Sequence, residues 1–265
     1  VGSEMCIRDS VIVKEAEDAA YFQNSLQNIT GTLEILYFPS SFKNKKNFSQ
    51  VNSSHIMLRT EALTKIASGG NKKILVTHAD ALFEKVVLSN TLFENTIHIQ
   101  QAEELDIDAL LEKFVDYGFE KTDFVYEPGQ FAIRGGIVDI YSFGNEKPYR
   151  IELFGKEVDS IRIFNPETQL SERKLLQVNI IPNIDTQFEA TEKVSLLEFL
   201  PSNTVLWIED WAYVKERLEQ MEEEMDVFLL GKSHEPFDQN NIPETFEVKK
   251  EQPASKSDFI SARLL

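Results

Sequence analysis

Cysteine and positive charge are both scarce in this sequence. Its 265 residues include one cysteine, Cys6, so no disulfide can form within the chain, and we expect a cytoplasmic protein. Lysine and arginine number 27 against 44 aspartate and glutamate residues, which gives a formal net charge of −17. Nonspecific DNA binding depends on neutralising phosphates, so the negative net charge disfavours DNA binding by the chain. A local basic patch that binds DNA is still compatible with this net charge.

The motifs of several catalytic classes are also missing. No apolar run reaches the about 18 residues of a membrane helix. There is no GxxxxGK[ST] phosphate loop and no GxGxxG, and no serine lies in a nucleophile elbow. The four histidines lie at no metal-ligand spacing from one another. We therefore expect no catalytic residue, no metal and no cofactor in this segment, and no membrane partner.

The two ends of the sequence differ from its middle. Residues 1–10 show no periodicity and are similar to translated sequencing-adapter DNA, so we expect a non-native artefact there and leave them out of the fold. The polar tail 231–256 contains three prolines and predicts loops with one short strand, 245–248. We interpret the whole as an internal fragment of a longer protein.

Strands and helices alternate in the first part of the chain, which is typical of an α/β layer. The same character returns after Pro182, where the buried strand Val205–Ile208 precedes a helix at 211–225. The predicted elements of the first part are helix 15–28, strand 33–38, helix 55–67, strand 74–77 and helix 79–87.

The middle of the chain follows another pattern. A helix at 106–117, which Asp106 can cap, precedes short strands separated by turn residues. This pattern predicts an antiparallel meander, and Gly135-Gly136 predicts a bulge or a close backbone approach. The fold class is therefore α/β: a discontinuous α/β domain with an inserted α+β domain built on an antiparallel sheet. The predicted strands are 123–126, Gln130–Arg134, 136–141, Tyr149–Phe154 and 160–164.

One of these strands carries an unusual combination of side chains. Alternate residues of a strand share a face, so Arg150 and Phe154 lie opposite Ile151 and Leu153. An exposed phenylalanine beside arginines is typical of a protein-binding hot spot. The alternative is that Phe154 packs under a helix while the arginines pair with Glu152, Asp139 or Glu157 on the surface. Periodicity leaves both interpretations open.

Segment 126–171 resembles the domain shared by UvrB and the bacterial transcription-repair coupling factors. The likeness continues through 165–171 and extends, more weakly after 183, over about 11–265. The matching residues in one register are Gly129, Gln130, Phe131, Arg134, Gly135, Asp139, Arg150, Glu152, Phe154, Glu157 and Arg162.

The resemblance implies a docking surface for the repair protein UvrA. It implies that Arg134, Arg150 and Phe154 bind this partner, and Arg150→Glu or Phe154→Ala is then expected to abolish binding in a folded protein. The supporting residues that it implies are Gly129, Phe131, Gly135 and Glu152.

The resemblance also divides the chain. It implies a UvrB-like domain in two parts, 11–94 and 183–265, around a UvrA-interaction domain at 95–182. The full protein would bind RNA polymerase and DNA through downstream domains and use ATP and Mg²⁺ as a DNA translocase. A fragment of a UvrB-type ATP-dependent excinuclease subunit is the alternative, disfavoured because residues 37–55 leave no room for the long DNA-clamping hairpin of UvrB.

Overall fold

The computed structural model describes residues 7–31, 33–44, 47–69, 72–183, 188, 193–232 and 259–260. Cys6 and the predicted strand 245–248 lie outside the described residues. The strands are β1 (Ile7–Val13), β2 (Glu34–Phe38), β3 (Phe42–Asn44), β4 (Asn47–Val51), β5 (Lys73–His78), β6 (Val86–Val87), β7 (Ile97–Gln100), β8 (Glu120–Lys121), β9 (Gln130–Arg134), β10 (Ile137–Ile140), β11 (Tyr149–Phe154), β12 (Glu157–Phe164), β13 (Ser171–Leu175), β14 (Gln177–Ile180), β15 (Lys193–Val194) and β16 (Val205–Ile208). The α-helices are α1 (Ala16–Thr30), α2 (Ser53–Ala67), α3 (Ser89–Glu94), α4 (Ile107–Asp116), α5 (Leu196–Phe199) and α6 (Trp211–Lys232).

A parallel sheet of four strands has the order β16-β1-β5-β2. The central strand β5 is an almost continuous run of buried residues, as expected for a parallel strand that is covered on both faces. The largest core cluster packs on this sheet and includes Leu75 of β5 and Leu63 of α2. The α2 helix begins where the Asn52 side chain accepts a hydrogen bond from the Ser54 backbone N–H.

Residues 7–10 form the first half of β1, so it was wrong to leave them out of the fold. Ser10 is buried and pairs with Leu75 of β5 on one side and with Leu206 of β16 on the other. Strand pairing shows where these residues lie but not whether they belong to the natural sequence, so the expectation that 1–10 is a non-native artefact stays a prediction.

A sheet of six strands has the order β13-β12-β11-β10-β9-β8. Its neighbours are antiparallel apart from β8 and β9. Two-residue turns join β9 to β10 and β11 to β12, and each turn begins with a glycine of positive φ, 61° at Gly135 and 66° at Gly155. Residues with a side chain rarely adopt this conformation, so glycine fixes both hairpins. The Gly135-Gly136 pair is therefore a hairpin turn and not a bulge, and the expected close backbone approach is confirmed at Gly136, which lies against the Leu153 carbonyl.

Helix α4 covers the inner face of the six-stranded sheet. It begins at the predicted cap, where the Asp106 side chain accepts a hydrogen bond from the Ala109 backbone N–H. The buried rings of Phe114 on α4 and Phe131 on β9 lie 5.3 Å apart between centres. The sheet contributes Val138, Ile140, Ile151, Val158 and Ile161 to the same core.

Three predicted elements differ from the structure. Segment 79–87 is not an α-helix. It consists of a short 3-10 helix, Ala79–Phe83, followed by β6. All five residues of the 3-10 helix are buried, so tertiary packing decides the shape of this segment. Segment 123–126 is a loop that follows the short edge strand β8. Strand β16 lies where predicted but is exposed rather than buried, whereas β2, at the other edge of the same sheet, is largely buried.

The long helix α6 extends to Lys232, seven residues beyond the predicted end at 225. Its buried residues Val214, Leu218, Met221 and Met225 join the core of the four-stranded sheet. In the part of the chain that the structure describes, no helix combines the length and apolar character needed to cross a membrane.

The four-stranded sheet draws its strands from two separated parts of the sequence. Strands β1, β2 and β5 precede the six-stranded sheet in the chain, and β16 follows it. The antiparallel pair β7 and β14, with Ile97 opposite Ile180, brings together the entry to and the exit from the six-stranded sheet. The mixed α/β class with parallel and antiparallel sheets is confirmed, and the boundaries at 94 and 182 stay predictions.

Candidate functional site

The outward face of β11 carries the residues that the sequence analysis selected. Tyr149 and Ile151 are buried in the inner core, so Arg150, Glu152 and Phe154 lie on the opposite face. The Phe154 side chain is 84% exposed and does not pack under a helix. A large apolar side chain at this exposure contributes little to folding, so its presence needs another explanation.

The position of Phe154 follows from the hairpin that ends β11. Phe154 pairs with Glu157 across the turn that Gly155 begins, so it is the last residue of the strand. The neighbouring turn lies at the same end of the sheet, where the Leu153 N–H donates to the Gly136 carbonyl at 2.8 Å. A Cβ atom on Gly136 would lie 2.9 Å from the Leu153 carbonyl oxygen. The two hairpins are therefore joined side by side at this end of the sheet, where Phe154 lies.

A buried carboxylate organises the two predicted arginines. Asp139 on β10 is fully buried and lies directly opposite Arg150 in the ladder. The Arg150 guanidinium donates to both carboxylate oxygens, at 2.7 Å from Nε and 2.9 Å from Nη2. Arg134 donates to the same carboxylate through Nη2. The expected alternative pairing of the arginines with Asp139 is thus realised, while Phe154 stays exposed.

Arg150 is largely committed inside the domain. Its Nη1 donates to the Gln169 carbonyl at 3.1 Å, and its guanidinium lies 4.5 Å from the ring centre of Phe164. Hydrogen bonding to Asp139 raises the pKa of Arg150 above its ordinary value, against the lowering effect of desolvation. Its side chain is 15% exposed. Arg150 therefore stabilises the face from within and presents little of its charge to a partner.

Arg134 is the more accessible of the two arginines. Its side chain is 35% exposed, and its Nη1 donates to the Asp123 carbonyl at 3.1 Å. The guanidinium lies 4.7 Å from the ring centre of Phe124, which is itself 47% exposed. Stacking on Phe124 and the ion pair with Asp139 fix the orientation of the Arg134 guanidinium. It can therefore contact an anionic group with little loss of conformational entropy.

The sequence analysis named Asp139 as one possible partner of the arginines but did not predict that it holds both, and it missed the contribution of Phe124 to this face. Asp139 was present in the family pattern, but no periodic signal says that one carboxylate holds two arginines. Phe124 was placed in a predicted strand, whereas it lies in a loop that folds over the sheet edge. No local pattern in the sequence identifies either contact.

The four residues that were predicted to support the site stabilise the structure of this face. Phe131 is buried in the inner core, and Gly135 forms the hairpin turn. Gly129 has a φ of 88°, and a Cβ there would lie 2.4 Å from the Phe143 ring, so only glycine fits. Glu152 lies on the outward face, where it accepts from Ser160 Oγ at 2.6 Å and pairs with Arg162 at 3.1 Å.

This face combines an exposed ring, a partly exposed guanidinium and carboxylates held in hydrogen bonds, which are groups suited to non-covalent contacts. Among the described residues, no group of three or more histidine, cysteine, aspartate or glutamate residues is arranged to hold a metal ion.

Comparison with known proteins places this face within a family. Residues 97–185 match the UvrB interaction domain. This part of the chain belongs to the UvrB interaction domain family. The match begins with β7 and includes Arg134, Arg150 and Phe154 with all six strands of the sheet.

Curated relatives extend the similarity beyond the UvrB interaction domain. The transcription-repair-coupling factor of Bacillus subtilis (strain 168) is 33% identical over 185 residues, which cover 68% of this chain and 16% of that protein. The protein of the same name from Borreliella burgdorferi is 31% identical over 175 residues, 65% of this chain and 15% of the relative. The chain therefore corresponds to about one sixth of the relatives that it matches.

Proposed function

We propose that the outward face of the UvrB interaction domain is the docking surface for UvrA. The observation that carries the proposal is the 84% exposure of Phe154 at the end of a sheet whose neighbouring arginines are held by Asp139. Aromatic and arginine side chains dominate the energetics of protein interfaces when they fill pockets on a partner. Strand pairing fixes the backbone of Phe154 before binding, so only the torsions of its side chain are left to order.

Within this surface we assign different roles to the two arginines. Arg134 makes a charge-assisted hydrogen bond to an acidic group of UvrA, because part of its guanidinium is exposed. Arg150 positions Asp139, and through it Arg134, because most of its donors are used inside the domain. Phe154 fills an apolar pocket of UvrA. Arg150→Glu is therefore a poor test of binding, since it places a second carboxylate against the buried Asp139.

For the whole protein we propose the role of a transcription-repair coupling factor that recruits nucleotide excision repair to stalled RNA polymerase. The names of the relatives and the match to the UvrB interaction domain support this role. RNA polymerase and DNA binding, ATP and Mg²⁺ use by a translocase, and a cytoplasmic location belong to the same proposal. The alternative, a UvrB-type excinuclease subunit, has less support because the relatives reported above are coupling factors.

The test is the affinity of the chain for purified UvrA, measured by calorimetry or interferometry. We expect Phe154→Ala to weaken binding by about 2 kcal/mol, or about 30-fold, because a hot-spot ring loses its pocket. The circular dichroism spectrum should stay that of the unmodified chain, since Phe154 makes no core contact.

A matched control is available on another part of the surface. Phe93 on α3 is 48% exposed, and its neighbour Leu92 packs in the core of the four-stranded sheet. Phe93→Ala should leave the UvrA affinity unchanged within about twofold. Equal affinities of the unmodified chain and a folded Phe154→Ala variant would overturn the proposed docking surface.

A further inference from the structure

A row of cations crosses the outward face beyond Arg150. Arg150 on β11 is directly opposite Arg162 on β12, and Arg162 is directly opposite Lys174 on β13. Directly opposite residues of antiparallel strands share a face, with about 5 Å between their Cβ atoms. The flanking residues Ile161 and Leu175 pack into the inner core, which confirms that the three cations face outward.

This row opposes the stability of the folded domain. Like charges that lie directly opposite one another across two strands repel. Glu152 pairs with Arg162 at 3.1 Å, but Nε of Arg162 is buried without a hydrogen-bond acceptor in the described structure. Among the described residues, no hydrogen bond or ion pair involves the exposed Lys174 ammonium. The positive charge of the row is therefore neutralised by carboxylates at Arg150, less fully at Arg162, and not at Lys174.

The composition of the chain makes this arrangement unexpected. Acidic residues outnumber basic ones by 44 to 27, yet three consecutive positions across the sheet are basic. A local conflict with the requirements of folding is expected where a surface serves a partner. We propose that the docking surface extends from Phe154 across β12 to Lys174, and that Arg162 and Lys174, which continue the row begun by Arg150, face an acidic strip on UvrA. This inference rests on the proposed function.

The charges around the row favour a protein over a nucleic acid. Glu152 lies within it, with its side chain 27% exposed. A phosphate backbone presents negative charge all along its length and would meet this carboxylate. A protein surface can place acidic groups opposite the row and apolar groups opposite Phe154, and so avoid this repulsion.

Strand β13 supplies its own matched control. Lys174 lies on the outward face, whereas the adjacent Arg173 is opposite Ile163 and lies on the other face, where it lines a cleft with Glu61 and Lys65 of α2. Both side chains are exposed. Lys174→Glu and Arg173→Glu therefore change the net charge equally, one residue apart, on opposite faces of one strand.

The experiment measures UvrA affinity of the full chain at about 50 mM and about 500 mM salt. We expect Lys174→Glu to weaken binding by about 3- to 10-fold at low salt and less at high salt, because rim charges act through screened electrostatics. Arg173→Glu should stay within about twofold of the unmodified chain at both salt concentrations. Lys174→Arg should retain binding, since the charge persists.

The outcomes separate this inference from the proposal on which it rests. Loss of binding in Phe154→Ala together with equal affinities of Lys174→Glu and Arg173→Glu would overturn the extended row alone. If the unmodified chain does not bind UvrA, both proposals fall. Unchanged UvrA affinity together with a Lys174-dependent gel shift of duplex DNA would assign the row to phosphates and overturn it as a protein contact.

Discussion

The two faces of the six-stranded sheet are built by the same strands but meet different requirements. On the inner face, Phe131 is 2% exposed and packs against Phe114 of α4. On the outward face, Phe154 is 84% exposed. The same residue type therefore stabilises the fold on one face and is available for binding on the other. Strand periodicity assigns the face of each residue, but the packing on that face decides its burial: on the outward face Phe164 is fully buried beside Ala132 and Tyr141, whereas Phe154 is exposed.

The largest expected effect comes from truncating one phenylalanine on each face. Phe131→Ala should lower the free energy of unfolding by about 3–5 kcal/mol, because it leaves a cavity beneath α4. Phe154→Ala should change it by less than about 0.5 kcal/mol, because its ring is already in water. Urea unfolding followed by circular dichroism measures both. Similar losses for the two variants would refute the division between the faces.

A smaller effect is expected at Asp139, which gives the outward face a buried charge. Asp139→Ala should lower the free energy of unfolding by about 3 kcal/mol, because Arg150 keeps its charge in a largely desolvated site. Glu152→Ala is the control on the same face: its pair with Arg162 is partly exposed, so about 1 kcal/mol or less is expected. Equal midpoints in urea for the two variants would argue against a central role for Asp139.

The smallest expected effect depends on pH and tests the inner face. Burial raises the pKa of Tyr149 to about 12 from 10.0. The folded state therefore favours the neutral phenol, and the resulting stability is complete below pH 10 and is lost as the pH rises towards 12. Between pH 9 and 11 this loss amounts to about 1 kcal/mol.

Urea unfolding of the unmodified chain and of Tyr149→Phe at both pH values measures this contribution. The Tyr149→Phe variant should lose about 1 kcal/mol less than the unmodified chain, because it has no phenol to ionise. Parallel stability curves for the two proteins would show that the Tyr149 hydroxyl lies in water.

Much of the six-stranded sheet was predictable because its signals are local. Strands Gln130–Arg134 and Tyr149–Phe154 lie at their predicted bounds, and Asp106 caps its helix as expected. Alternation along a strand and capping at a helix end depend on a few neighbouring residues. The short strands β7 and β14 were not predicted, because they pair with each other from opposite ends of the domain. The short strands β8 and β13 pair with strands nearby in the chain, but their mainly charged residues show no apolar alternation.

The exposure of apolar strands was harder to predict. Val205–Ile208 has the composition of a buried strand, yet Trp207 is 59% exposed, while β2 at the opposite edge of the same sheet is largely buried. Composition reports what a strand can bury and not its place in the sheet. The same limit applied to 79–87, whose apolar residues fitted a helix but pack as a short 3-10 turn and a strand.

The sequence by itself determined the strand faces, the helix cap and the likeness that places 126–171 with the UvrB interaction domain. Each of these depends on the order and spacing of nearby residues. Tertiary structure alone decided that Asp139 holds two arginines, that Phe124 stacks beneath Arg134, and that Lys174 continues a row begun by Arg150. Those contacts join separate strands and loops. They form because the strand register brings residues that are distant in the chain within hydrogen-bonding or van der Waals distance.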